Sequence, residues 1–210
     1  MKALILAAGA GTRLDDLTKD SPKALIDING KSILERAIVN LSNSGIKDIN
    51  LVTGHYSSFI KNTIGDGSQW DVSISYTFNK KYLQTNNIYS AYLAKDILFE
   101  KDFILLNGDV LFSSIILEKI LSETSDISIS VDSKKELGSE DMKVAINSTG
   151  RPIKISKDIH KLQAHGEYIG MSKFTSEGSI KFYETITDVI NKFGYNVFYE
   201  FVFQCLMDEQ

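Results

Sequence analysis

The chain has 210 residues, 43% of them hydrophobic and 24% charged, which suits a single α/β domain (1–210) with a sizeable core. Its net charge of −4 lacks the basic footprint of nonspecific nucleic-acid binding, and no apolar run reaches the roughly 18 residues of a membrane span. The single cysteine, Cys205, excludes an internal disulfide and a cysteine-only metal cluster.

In chain order, Lys2–Leu6 is a short apolar run that predicts a buried first strand. At residues 3–8 it is too short and too polar on its right flank for a signal peptide, so the cytoplasm is the expected compartment. Ser32–Ser44 places Ile33, Leu34, Ala37, Ile38 and Leu41 on one helical face, with Gly45 as the stop. Ile49–Thr53 predicts a second strand and His55–Thr63 a short helix. Val72, Ile74, Tyr76 and Phe78 alternate with polar residues, as in a half-exposed strand. Asn87–Ile97 predicts a helix with a mixed aromatic face, Phe103–Leu106 a buried strand and Ile115–Leu121 the helix after it. Alternation of this kind predicts a Rossmann-like, mainly parallel sheet flanked by helices, with ligands at the carboxyl ends of its strands.

From residue 126 the rhythm changes. Ile127–Val131, Met142–Ile146, Pro152–Ser156 and Ile169–Phe174 predict an antiparallel addition, a small flap over one end of the sheet. Helices over Ser179–Asn191 and Val197–Met207 finish the chain. The division falls near residue 125, between a first half (1–125) and a second half (126–210) with the flap and the last helices.

The most informative residues open the chain. The strand breaks into Ala8-Gly9-Ala10-Gly11-Thr12-Arg13, and Pro22-Lys23 follows ten residues later. Glycines there let backbone N–H groups approach an anion, and Arg13 and Lys23 add formal charge to those dipoles. Pro22 fixes the backbone just ahead of Lys23. This concentration of positive potential suits a polyphosphate, and hence a nucleotide. Leu14 stands where a dinucleotide fingerprint has its third glycine, which disfavours an NAD-dependent oxidoreductase. No Gly-Lys-Ser/Thr completes a P-loop. His55, His160 and His165 show no metal-ligand spacing, and no Ser-His-Asp arrangement stands out.

Leu6 to Leu14, with Pro22-Lys23-Ala24-Leu25, resembles the signature of the nucleotidyltransferases that make activated sugars and activated alcohols. Asn86-Asn87-Ile88-Tyr89-Ser90-Ala91-Tyr92 resembles the phosphocholine cytidylyltransferase branch of bacterial surface-polymer (capsule) biosynthesis. Glu140 to Val144, Ile155-Ser156-Lys157 and Gly166 to Gly170 are similar to segments of branches acting on phosphocholine-like or phosphonate acceptors. The resemblance covers nearly the whole chain.

It implies transfer of CMP from CTP to a small phosphate or phosphonate monoester, such as phosphocholine, 2-aminoethylphosphonate or phosphoglutamine, with release of pyrophosphate. Leu6, Ala7, Ala8, Gly9, Ala10, Gly11 and Thr12 would hold the nucleotide, Arg13 the β/γ-phosphates and Lys23 the α-phosphate. Asp109, in Asn107-Gly108-Asp109 at the end of a buried strand, would be a Mg²⁺ ligand, with Asn107 and Gly108 beside the nucleotide. Thr85, Asn86 and Asn87 either cap their helix or read the base and ribose; capping alone explains them. Lys157 would meet the acceptor's phosphate, with Lys143 nearby, whereas Lys154 and Lys157 could equally be a solvated pair. Glu140, Asp141, Glu167 and Glu200 are candidates for a cationic head group, with Tyr168, Tyr195 and Tyr199 as aromatic faces for it.

Family members usually continue into a segment carrying a second metal-binding aspartate; either this sequence is a piece of a longer chain, or another carboxylate such as Asp132 or Glu200 substitutes, or the protein binds nucleotide without turning it over. The competing readings are a sugar-1-phosphate uridylyl- or thymidylyltransferase and a non-catalytic nucleotide-binding homologue. The apolar C-terminal segment (Val197, Phe198, Phe201, Val202, Phe203, Leu206) raises the further expectation of a homodimer.

Overall fold

The computed structural model describes residues 1–9 and 22–209. Ala10, Gly11, Thr12 and Arg13, expected at the nucleotide, lie outside the described residues.

Strand β1 (Lys2–Ala7) is apolar because both of its faces are covered: Leu4 and Leu6 enter one core, Ala3, Ile5 and Ala7 the other. A hairpin, β2 (Asp27–Ile28) and β3 (Lys31–Ser32), leads into helix α1 (Ile33–Asn43). That helix starts on a capping box, in which Ser32 Oγ accepts from the Glu35 N–H at 3.2 Å and the Glu35 carboxylate accepts from the Ser32 N–H at 2.7 Å. It buries Ile33, Leu34, Ala37, Ile38 and Leu41, the stripe the helical period picks out, and Gly45 follows it at φ 79°.

Next come β4 (Asp48–Thr53), α2 (Ser57–Ile64), β5 (Ser73–Phe78), α3 (Asn87–Tyr92), α4 (Lys95–Leu98), β6 (Phe103–Asn107) and α5 (Ser114–Ser122). The second half supplies β7 (Ile127–Asp132), β8 (Lys143–Ile146), β9 (Pro152–Ser156), β10 (Gly166–Phe174), α6 (Ser176–Phe193) and α7 (Glu200–Asp208). Among the described residues the main sheet has eight strands in the order β5-β4-β1-β6-β10-β8-β9, with β7 paired to β10. The first four are parallel, and β10 joins β6 antiparallel. One face carries α1, α2 and α5, the other α3, α4, α6 and α7. No described helix is long and apolar enough to cross a membrane.

The expected antiparallel strands form, but they continue the main sheet through β10. The helix expected over 87–97 is two, because the chain turns at Leu93-Ala94 with no glycine or proline to announce it. The last helix begins at Glu200 and not at Val197, which leaves Phe198 in the connection before it. Val202, Phe203 and Leu206 are buried in the chain's own core, which accounts for half of the apolar C-terminal segment without a partner. Cys205 is half-buried, and burial pushes its thiol pKa up, as fits a packing residue.

The site is opened by β10. Its second part, Met171–Phe174, pairs with β6, whereas Gly166 and Glu167 pair with β8 on the same side. Between them the register against β7 shifts, and Gly170 takes φ 79°. The sheet therefore splits beyond the end of β6, and the carboxyl ends of β1, β4 and β6 face the gap. Two backbone bonds hold these ends together, Gly108 N–H to Leu6 O at 2.9 Å and His55 N–H to Ala8 O at 3.4 Å.

Gly54 belongs to this arrangement, since a Cβ on it would lie 2.4 Å from Ala8 O and 2.8 Å from Tyr82 Cβ. Gly54→Ala is expected to destabilise the protein by about 1–3 kcal/mol through backbone displacement. A lower urea midpoint at unchanged m-value is the check, and an unchanged midpoint would count against the close approach.

Candidate functional site

A cavity of about 660 Å³ opens at the split. Leu6, Ala7, Ala8, Gly9, Pro22, Lys23, Asn107, Gly108 and Asp109 form one wall; Thr85, Asn86, Asn87, Asn79, Tyr82 and Ser90 form another; Glu140, Met142, Lys157, Glu167, Tyr168, Phe198 and Glu200 form a third. Most of the residues singled out in the sequence and described in the structure thus meet in one place. Asp141 and Lys143 stand off its lining.

On the first wall, Lys23 Nζ lies 3.8 Å from the Asp109 carboxylate. At that distance, with Asp109 half exposed, the pair is weak and both groups keep their capacity to bind a ligand. Ser113 occupies the N-cap of α5, so Asp109 is not consumed in capping. Among the described residues no three His, Cys, Asp or Glu side chains cluster as a metal site. A lone carboxylate beside a phosphate-sized opening fits Mg²⁺, which is typically held by one or two carboxylates, waters and substrate phosphates. Asp132 lies off the lining and accepts from the Lys134 N–H.

On the second wall Thr85, Asn86 and Asn87 line the cavity and also make local bonds. Asn86 caps α3, its side chain accepting from the Asn87 N–H at 2.8 Å, and Thr85 Oγ1 donates to Lys81 O at 2.9 Å. Asn87 reaches across to the start of α7, where Oδ1 accepts from the Tyr199 N–H at 2.8 Å and Nδ2 donates to Glu200 Oε2 at 3.2 Å. Asn79, which sequence reasoning missed, is buried and holds this loop through Thr85, Ser90 and the Lys81 N–H.

The third wall sorts the candidate carboxylates by partner. Asp141 and Glu167 share Lys135, at 3.2 and 2.5 Å; the Gly138 N–H also bonds Asp141 and, with Lys135, holds its carboxyl below the usual range. Glu140 pairs with Lys157 at 3.0 Å, and the Lys157 ammonium lies 5.1 Å from the Phe198 ring centre. Phe198 was another omission, hidden because the apolar run around it reads as continuous helix. Lys143 is buried and donates to the carbonyls of Ser139, Asp141 and Lys157, so it fastens the backbone on both sides of that pair. Its ammonium is occupied there, which corrects its expected role as an acceptor ligand. Lys154 is exposed and off the lining.

Glu200 makes no ion pair among the described residues. It is 5% exposed, and burial pushes its pKa up to about 7 against the opposing pull of its own backbone N–H, Asn87 and Lys157. Behind it the Tyr168 hydroxyl bonds Ser172 at 2.6 Å and the Tyr199 hydroxyl at 2.9 Å, and Tyr199 donates to Asn107 Oδ1 at 3.1 Å. Tyr199 is wholly buried and offers no face to a ligand, and the Tyr195 ring already lies 5.2 Å from the Lys81 ammonium. Only Tyr168 of the three expected tyrosines lines the cavity.

A model of the nucleotidyl transferase family matches residues 2–135. The chain is 28% identical, over its full length and 89% of the relative's, to the CTP:phosphoglutamine cytidylyltransferase of Campylobacter jejuni. It is 41% identical to the choline-phosphate cytidylyltransferase of Streptococcus pneumoniae over 47% of this chain and 41% of that protein. It is 34% identical to the CMP-5'-(3-aminopropyl)phosphonate synthase of Streptomyces rubellomurinus over 57% of this chain and 19% of that one. The matches therefore span less than half the length of the latter two. Among solved structures, the inositol-1-phosphate CTP transferase from T. maritima superposes at TM-score 0.80 and 24% identity, covering all of this chain and 82% of the other. The S. pneumoniae CTP:phosphocholine cytidylyltransferase does so at 0.80 and 24%, covering all of this chain and 86% of the other. These two likenesses establish the fold.

The raised Glu200 pKa has a consequence for stability. A carboxyl that titrates near 4.5 when unfolded and about 7 when folded supports the fold fully below pH 4.5 and loses that support as pH rises to about 7. Glu200→Gln is therefore expected to be about 1–3 kcal/mol more stable than the parent at pH 8, with the gain shrinking toward pH 4.5. Urea titrations at both pH values check it, and a gain independent of pH would contradict the assignment.

Proposed function

Since the chain belongs to the nucleotidyl transferase family, we propose that it transfers CMP from CTP to a small phosphate or phosphonate monoester with a cationic head group, releasing pyrophosphate. The observation that carries this reading is one cavity holding two lysines with different surroundings and a buried carboxylate. Lys23 stands with Asp109 at the carboxyl ends of β1 and β6, and Lys157 stands over Phe198 near Glu200. The names of the relatives add the choice of CTP and the acceptor class.

The chemistry asks little of proton transfer. A phosphate monoester with its second pKa near 6 is mostly dianionic at neutral pH, so no general base is required. An acceptor oxygen attacks the α-phosphorus in line, the new P–O bond forms, and the bond to the β-phosphate breaks with its electron pair leaving on pyrophosphate. Lys23 places its charge beside the α-phosphorus, where negative charge builds, and so stabilises the transition state more than the ground state. Arg13 has the corresponding role toward the leaving pyrophosphate. Lys157 orients the acceptor's phosphate, which converts a bimolecular encounter into a positioned one. A divalent ion, taken to be Mg²⁺, would be held by Asp109 with the triphosphate's oxygens and would neutralise their charge. On this reading the first half, to about residue 125, handles the nucleotide and the rest handles the acceptor.

Pyrophosphate release with CTP, UTP, dTTP and GTP against phosphocholine, 2-aminoethylphosphonate and phosphoglutamine tests the assignment. CTP with one of these acceptors is the expected pair. Turnover with UTP or dTTP and a sugar 1-phosphate would move the protein to the sugar-nucleotide branch, and CTP binding without turnover would make it a non-catalytic homologue. Lys23→Met is expected to lower kcat about 100- to 1000-fold. Lys157→Met is expected to act mainly on the acceptor's KM, and equal effects of both variants on both parameters would undo the division of roles.

A further inference from the structure

The loop that ends at Asn87 is hung on the segment between α6 and α7 by three hydrogen bonds. Asn86 N–H donates to Tyr195 O at 2.8 Å, Asn87 Oδ1 accepts from the Tyr199 N–H at 2.8 Å, and Asn87 Nδ2 donates to Glu200 Oε2 at 3.2 Å. Three cavity-lining residues on one side, Thr85, Asn86 and Asn87, are thereby joined to Phe198 and Glu200 on another. The link is between sequence positions more than 100 residues apart. Asn87 uses both ends of its amide on α7, so it is a fastening between walls more than a reader of bases.

Glu200 is the charged member of this fastening and lines the cavity. A carboxylate that is 5% exposed, lines a cavity and lacks a contacting cation is costly in its charged form, and a cationic ligand relieves that cost. We propose that Asn87 is a positioning residue that couples the two substrate sites: when a cationic acceptor engages Glu200, the Asn87 amide transmits the adjustment of the first turn of α7 to loop 85–87. The acceptor then tightens CTP binding, and by reciprocity CTP tightens acceptor binding by the same factor. This rests on the reading of the cavity given under Proposed function.

The test is calorimetric titration of a CTP analogue with a methylene bridge between its α- and β-phosphates, without and with saturating phosphocholine, so that no turnover occurs. The parent protein is expected to bind the analogue about tenfold more tightly when phosphocholine is present, a coupling in the ordinary range. Asn87→Asp keeps the acceptor for the Tyr199 N–H and loses the donor to Glu200, while Asn87→Ala removes both. Each is expected to keep the parent's circular dichroism, which shows an intact fold, and to bring the coupling factor, the ratio of its own affinities with and without phosphocholine, close to 1. Coupling that survives in both Asn87 variants, or a factor of 1 in the parent with both ligands bound, overturns the inference and leaves the proposed function standing. Failure of the parent to bind the analogue, or to bind any of phosphocholine, 2-aminoethylphosphonate and phosphoglutamine, overturns the proposed function and the inference with it; where phosphocholine alone fails to bind, the acceptor that does bind takes its place in the titration.

Discussion

Where β10 leaves β6, the backbone at Gly170 lies so close to Asn107 that a Cβ there would come within 2.6 Å of Nδ2 and 3.0 Å of Cβ of that side chain. Glycine is required twice over, for the close approach and for φ 79°. Because the strand bends at that point, its first part carries Glu167 and Tyr168 onto a second wall while its second part stays in register with β6. A straight β10 would pair with β6 throughout and leave no gap between the halves. The cavity, the separation of its lysines and the seat of the buried tyrosines all follow from this one departure.

Polar groups behind the cavity are then organised to keep the walls in place. Asn107, directly before Gly108-Asp109, is held by the Tyr199 hydroxyl, and Tyr199 is in turn tied to Tyr168 and Ser172. Burial raises the pKa of both tyrosine hydroxyls, so they remain neutral donors throughout the physiological range. Lys143 plays the equivalent part for the opposite wall by satisfying three backbone carbonyls. Most charges in the cavity are matched by ion pairs with the protein's own residues, whereas Glu200 makes none among the described residues.

Sequence periodicity revealed the sheet and most helices because their apolar stripes are long and their caps ordinary, as at Ser32 and Gly45. Lys23 and Asp109 were legible from their places beyond strand ends, and Glu167 and Lys157 from the resemblance of their segments to family members; all four line the one cavity. The sequence did not distinguish Lys143 from Lys157, since only tertiary contacts decide which ammonium is consumed by carbonyls. Asn87 was legible as a cap residue and illegible as a bridge, because its partners Tyr199 and Glu200 lie far along the chain. Phe198 was masked by an apolar run whose helix begins three residues later than its periodicity implies. The kink at Gly170 had no local signal beyond the glycine itself.

The central claim is that the gap beside Asn107 seats both substrates, with the reacting phosphorus between the two lysines. A crystal structure with the methylene-bridged CTP analogue, Mg²⁺ and phosphocholine tests it most directly. The account predicts the analogue's α-phosphate at Lys23 and Asp109, the phosphate of phosphocholine at Lys157, and its quaternary ammonium against Glu200. Nucleotide bound elsewhere, for instance in the shallower cleft lined by His55, Phe59 and Phe78, would contradict it.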